Sequence, residues 1–206
     1  SNQPFFIINE NSNFISDIDF IISNNAIISI DEKVISNVKK CRNYLDGKIK
    51  NNEDVFYGIN TGFGSLCNKV ISNNDLKKLQ TNLVKSHACG SGDEIDPVIV
   101  KIMILLKIKS LSLGHSGITI ETLNRLVYMF NNNILPVVYE MGSLGASGDL
   151  APLAHISLGL IVGLPLLSFI IGGVTLSFEI PQLVQLAKTS FRFNGGLGLP
   201  PELIAL

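Results

Sequence analysis

A mainly helical fold is what this sequence predicts, and three observations carry the prediction. Several stretches between residues 29 and 132 repeat apolar residues at helical spacing, most opened by a capping residue or a proline. The segments that break this periodicity are short and glycine-rich, chiefly 56–70 and 142–149. Hydrophobic residues make up 46% of the 206 and charged residues only 16%, enough for a large core and too few charges for a disordered chain. At this length one domain is expected.

Residues 1–28 mix Ile, Phe, Asn and Asp in short alternations such as Phe14-Ile15-Ser16-Asp17-Ile18-Asp19-Phe20, which predicts short strands or loops. Ser29-Ile30-Asp31-Glu32 reads as a capping box. Val34, Val38, Cys41 and Leu45 then recur at helical spacing until Gly47. After the glycine-rich loop, Ser72-Asn73-Asn74-Asp75 opens a second helix with the stripe Leu76, Leu79, Leu83, Val84 and His87, closed by Gly90. Pro97 opens a third, from about Val98 to Leu113, apolar almost all round and therefore expected to be buried. Thr119 to Asn132 is a fourth, with Leu123, Val127 and Phe130 on one face, and Asn131-Asn132-Asn133 with Pro136 predicts a loop after it.

From Leu150 to Phe178 there is no Asp, Glu, Lys or Arg. Such a run meets the hydropathy criterion for a membrane span, with 156–178 as the candidate span. Pro152, Pro165 and Gly172-Gly173 interrupt it, and no basic cluster flanks it. A buried bundle helix gives the same pattern, and a membrane is not the expected partner.

Sixteen Lys and Arg against seventeen Asp and Glu leave a net charge of −1, without the basic surface that nucleic acid requires. Cys41, Cys67 and Cys89 lie too far apart for a zinc motif or a disulfide framework. Reduced thiols in a cytoplasmic protein are expected. Ser1 to Glu10 has no charged leader and no small-residue cleavage site, so it does not read as a signal peptide.

Three segments have chemical potential. Tyr57-Gly58-Ile59-Asn60-Thr61-Gly62-Phe63-Gly64 lets a backbone fold tightly against a ligand. It lacks the Lys-Ser/Thr of a phosphate loop and the third glycine of a dinucleotide loop. The bland reading is a turn; the functional one is a phenol at a loop edge, serving as acid or base. Gly114-His115-Ser116-Gly117 resembles a nucleophile elbow, but Ile118 stands where the closing glycine belongs. A glycine helix cap explains it better.

The third, Gly142-Ser143-Leu144-Gly145-Ala146-Ser147-Gly148-Asp149-Leu150-Ala151-Pro152-Leu153-Ala154-His155, is the densest. A turn and helix start, with Asp149 as cap and Pro152 in the first turn, accounts for much of it. Ala-Ser-Gly in that order has a chemical reading too. Attack of the Gly148 nitrogen on the Ala146 carbonyl closes a five-membered ring. Loss of water from the ring and of the Ser147 hydroxyl then leaves an exocyclic methylidene, an electrophile made without metal or bound coenzyme.

Ala146-Ser147-Gly148-Asp149-Leu150-Ala151-Pro152-Leu153-Ala154-His155 resembles the signature of the aromatic amino acid lyases, which include the histidine and phenylalanine ammonia-lyases. Tyr57 to Gly64 resembles the family's second signature. The resemblance covers about residues 1–165 and implies the amino-terminal part of a large helical-bundle lyase. It implies a methylidene-imidazolone (MIO) formed from Ala146, Ser147 and Gly148, with Ser147 and Tyr57 as the catalytic residues. Asp149 supports the ring, and Gly64, Ser86 and His87 bind substrate. Ser86-His87 looks like the pair of the histidine branch, where phenylalanine-specific relatives carry bulky apolar residues. The implied substrate is L-histidine, the products urocanate and ammonia, and the implied assembly a homotetramer whose active sites combine subunits.

Beyond about Gly163 the resemblance fades, and residues 166–206 read as an apolar tail of uncertain relation to the family. A truncated lyase, inactive alone, is therefore expected. The alternatives are a noncatalytic remnant, a phenylalanine or tyrosine ammonia-lyase, and a membrane-associated protein.

Overall fold

The computed structural model describes residues 3–12, 14–51, 56–61, 71, 75–145, 148–172 and 191–193. The chain begins with β1 (Phe5–Ile8), α1 (Phe14–Ser23) and β2 (Ile27–Ile30), the two strands pairing in parallel from Phe5 opposite Ile27 to Ile8 opposite Ile30. The helix between them corrects the expectation of strands or loops over 1–28. Ile18, Ile21 and Ile22 stand at i, i+3 and i+4; Ile21 is fully buried while Ile15 is 87% exposed. The shorter alternation over 14–20 concealed that period.

Next comes α2 (Glu32–Asn51). Its cap is Asp31, whose Oδ1 accepts the Lys33 amide at 2.8 Å. Ser29 cannot serve, because it lies in the β2 ladder opposite Ile7. The helix also runs through Gly47, which faces open space and ends nothing. Val34 and Val38 are buried as their spacing predicts.

After α3 (Leu76–His87) and β3 (Ser91–Glu94), α4 (Pro97–Ser112) is capped by Asp96, which accepts the Val98 amide at 2.7 Å. One side of α4 enters the core with Val100, Ile104, Leu105 and Ile108; Val98, Ile99, Leu106 and Leu113 beside it are about half exposed. The expected all-round burial is thus corrected. α5 (Ile120–Asn131) is capped by Thr119 and buries Leu123, Leu126 and Phe130.

Asn133, at φ 52, turns the chain into β4 (Ile134–Pro136), which pairs with β6 (Phe191–Phe193). Pro136 is therefore the last residue of a strand rather than part of a loop, in a two-stranded pairing where both strands are edges and a missing amide hydrogen is tolerated. β5 (Tyr139–Met141) pairs antiparallel with β3, Ser91 opposite Met141. α6 (Ala151–Gly172) follows and continues through Pro165, which was expected to interrupt it. Its first turns bury Ala151, Ala154, Ile156 and Leu158. Among the described residues no helix is long and apolar enough to cross a membrane.

Two polar devices join the layers. The Asn131 carboxamide accepts the Ile28 amide and donates to the Ile28 carbonyl, both at 2.9 Å. Lys101 on α4, only 8% exposed, donates to Asn25 Oδ1 at 2.8 Å and to Asn133 Oδ1 at 2.6 Å.

Candidate active site

The Tyr57 loop is held by its own polar side chains. The Phe56 amide donates to Asn60 Oδ1 at 2.7 Å, and the Gly58 amide donates to Thr61 Oγ1 at 3.2 Å. Asn60 and Thr61 are buried, whereas Tyr57 is 62% exposed. Gly58 has φ 72, a left-handed conformation that glycine adopts at no steric cost. The loop is tied to α3 by Gln80, whose Nε2 donates to the carbonyls of Gly58 and Ile59 at 3.2 and 3.0 Å.

Gln80 and His87 stand at i and i+7 on α3, hence on one face of the helix, roughly 10 Å apart along its axis. His87 is partly buried, and its Nδ1 lies 2.6 Å from the Leu83 carbonyl. A carbonyl only accepts, so Nδ1 carries the proton and, in the neutral ring, Nε2 is the acceptor nitrogen. Ser86 Oγ donates to the same carbonyl at 2.9 Å and lies 3.2 Å from His87 Nδ1.

Four residues beyond His87 the chain enters β3. In the antiparallel β3–β5 ladder, Ser91 opposes Met141, so the segment before 91 and the segment after 141 leave from one end. The first carries Ser86 and His87; the second is the Gly142–Asp149 turn. The packing of α3 on α6 reinforces the juxtaposition.

That turn is organised around Asp149. Its Oδ1 accepts the Ser143 amide at 2.9 Å, the Ala151 amide at 3.0 Å and Ser143 Oγ at 3.3 Å. These donors, the Ser143 amide foremost, hold the carboxyl below the usual aspartate range. Gly142 is required here, because a Cβ would collide with the Asp149 carboxylate. The Gly148 amide donates to the Gly145 carbonyl at 3.1 Å, φ at Gly148 is 80, and open space surrounds both glycines. A nitrogen whose own Cα carries no Cβ meets one demand of ring closure, an uncrowded nucleophile. Ala146, Ser147 and Gly64 lie outside the described residues, as does Cys67.

Sequence reasoning assigned no role to Gln80 or Ser143, quoted His155 only as part of a motif, and gave Gly90 the closing of the second helix, which in fact ends at His87 with Ala88 as its cap. Ser143 and His155 sit inside the dense segment, which was the available signal. Gln80 and Gly90 carry none, since their partners are remote in the chain. His155 Nε2 accepts the Gly90 amide at 3.0 Å, and burial pushes its imidazole toward the neutral form.

Comparison with known proteins places this geometry. The family model described as aromatic amino acid lyase matches residues 15–199. The chain belongs to the aromatic amino acid lyase family. It is 41% identical over 147 residues to a histidine ammonia-lyase of Staphylococcus saprophyticus, covering 71% of this chain and 29% of that protein. Over 114 residues it is 50% identical to a histidine ammonia-lyase of Legionella pneumophila, covering 55% of this chain and 22% of the relative. Among solved structures, histidine ammonia-lyase from Trypanosoma cruzi superposes with a TM-score of 0.65 at 31% identity, over 76% of this chain and 29% of that one. The chain thus spans less than a third of the length of these relatives.

Proposed function

We propose that this chain is the amino-terminal, electrophile-bearing part of a histidine ammonia-lyase, a carbon–nitrogen lyase converting L-histidine to urocanate and ammonia. The observation that carries the reading is the delivery of Ser86-His87 and the Gly142–Asp149 turn to one end of the β3–β5 ladder. The likeness to histidine ammonia-lyases at 41% and 50% identity supports the same substrate. Residues 1–165 are read as the incomplete lyase region and 166–206 as an apolar tail, into which the family match extends as far as residue 199. The complete protein is a cytoplasmic homotetramer, as the resemblance implies.

Each residue has a task in this scheme. Ala146, Ser147 and Gly148 form the MIO, which supplies an electrophile toward the substrate amine. Gly148 contributes the uncrowded ring nitrogen, and Asp149 holds the turn by fixing Ser143 and Ala151. His87, whose Nδ1 lies against the Leu83 carbonyl, is the residue that meets the substrate imidazole. Ser86 and Gly64 line the same region. Tyr57 removes the β-proton, a weak acid, while ammonia departs with the electron pair of its carbon–nitrogen bond.

In the complete protein the intact mass should fall short of the sequence mass by two waters, and Ser147→Ala should abolish the deficit. Histidine should be deaminated in preference to phenylalanine and tyrosine, and His87→Phe should shift that preference toward phenylalanine. An unmodified mass in a folded protein, or faster turnover of phenylalanine or tyrosine, overturns the reading.

A further inference from the structure

The link from α3 to β3 is three residues long, and two of its amides stay local: Ala88 donates to the Val84 carbonyl at 3.1 Å, and Cys89 to the His87 carbonyl at 2.9 Å. The third leaves the segment. The Gly90 amide donates to Nε2 of His155, 65 residues away on α6. Tyr139 of β5 meets the His155 ring edge-on, with centroids 5.5 Å apart and the planes at 74°. The space between ring and backbone is filled: a Cβ at Gly90 would lie 2.9 Å from His155 Nε2 and 3.3 Å from Tyr139 Cβ.

We infer that His155 is a positioning residue, whose imidazole ties the α3 end bearing Ser86 and His87 to the helix that follows the Ala146-Ser147-Gly148 segment in the chain. Its bond to the Gly90 amide sets the offset between the two halves of the site. The inference rests on the proposed reading of His87 as the substrate's imidazole partner, and extends it to a group that touches no substrate. His87 can hold an imidazole productively only if its distance from the electrophile is fixed. A single bond at the mouth of the β3–β5 ladder has the leverage to fix it. Nε2 must be the acceptor nitrogen, so the proton of the neutral ring resides on Nδ1.

The test uses the complete protein and the variants His155→Leu, His155→Gln and Gly90→Ala. His155→Leu keeps the volume and loses the acceptor. It should raise the KM for L-histidine about fivefold, the scale of one lost hydrogen bond, with kcat within twofold and the two-water mass deficit intact. His155→Gln, whose carboxamide oxygen can accept the Gly90 amide, should return KM to within twofold of the parent. Gly90→Ala, which displaces the ring without removing it, should reproduce the rise and stands in if His155→Leu does not fold. Hydrogen–deuterium exchange of the 84–91 segment should accelerate in His155→Leu while α4 is unchanged. This reading is independent of turnover, so a parent protein inactive on histidine refutes the functional proposal while the exchange result still decides this one. Unchanged KM and unchanged exchange in a folded His155→Leu variant, or a fall in kcat and mass deficit at constant KM, overturns the inference.

Discussion

The carboxamide of Asn131, at the end of α5, makes with Ile28 both of the hydrogen bonds that a neighbouring strand would make, each at 2.9 Å. Ile28 is 1% exposed, so neither backbone group has water as a ready substitute. Asn131→Leu should therefore lower the stability of the complete protein by about 2–4 kcal/mol, the cost of leaving two buried backbone groups unpaired. Denaturant midpoints check it. A loss below about 0.5 kcal/mol would mean that these groups find other partners.

Lys101 predicts a graded effect at the turns it joins. Asn25 and Asn133, at φ 48 and 52, are the described non-glycine residues with positive φ, and both accept from the Lys101 ammonium. Asn25→Ala loses the acceptor and must hold a left-handed conformation with a Cβ; Asn25→Gly loses only the acceptor. The alanine variant should be the less stable by about 1 kcal/mol, read from paired unfolding curves. Lys101→Met should be worse than either, since both asparagine oxygens lose their donor.

Tyr57→Phe in the complete protein should leave the fold and the mass deficit unchanged. Turnover of histidine should fall by roughly 10²–10⁴-fold, as expected for a lost general base. Asn60, Thr61 and Gln80 hold the loop through groups other than the phenol. Undiminished turnover would transfer the base role to another residue.

Asp149 and His155 both predict an acid limb to stability. The folded pKa of each is lowered, that of Asp149 by its amide donors and that of His155 by burial. A lowered folded pKa means that the unfolded chain takes up the proton first. Their contributions are therefore present above the unfolded values, near ~6.5 for histidine and ~3.9 for aspartate, and fade as pH falls through the lower folded values. The melting temperature should drop on acidification below about pH 6.5. His155→Gln should flatten the upper part of that decline, and an unaltered profile in that variant would refute the His155 assignment.

Residues 1–206 alone should be inactive and prone to aggregate. Val98, Ile99 and Leu106 on α4 and Leu113 at its C-cap are 46–54% exposed, and Leu144 is fully exposed. Exposed apolar surface of this kind promotes association. Little of the ring should form in the isolated chain. Ammonia release from histidine by the purified chain, free of any full-length lyase, would contradict this.

The helices α4 and α5 were legible because Pro97 and Thr119 announce their starts and apolar residues mark the inward side. α1 was not, since Phe14 to Phe20 satisfies a period of two as well as a helical one, and only burial of Ile21 separates them. Ser29 was misread as a cap for a related reason: its hydroxyl suits a helix start, but its backbone was already engaged with Ile7 across β1. At the candidate site, Tyr57, Ser86, His87 and the Gly142–Asp149 segment stood out by residue type and order.

By itself the sequence determined the family signatures, the chemistry open to Ala146-Ser147-Gly148, and most of the helices, because these depend on neighbours within a few positions. The tertiary structure alone decided that Gln80 would hold the Tyr57 loop and that Gly90 would bond to His155. It also decided that His87 and the 142–149 turn would leave one end of the same ladder. Local periodicity tells which side of an element is apolar. It carries no information about which polar group 65 residues away will arrive opposite a given amide, since that follows from packing the whole core at once.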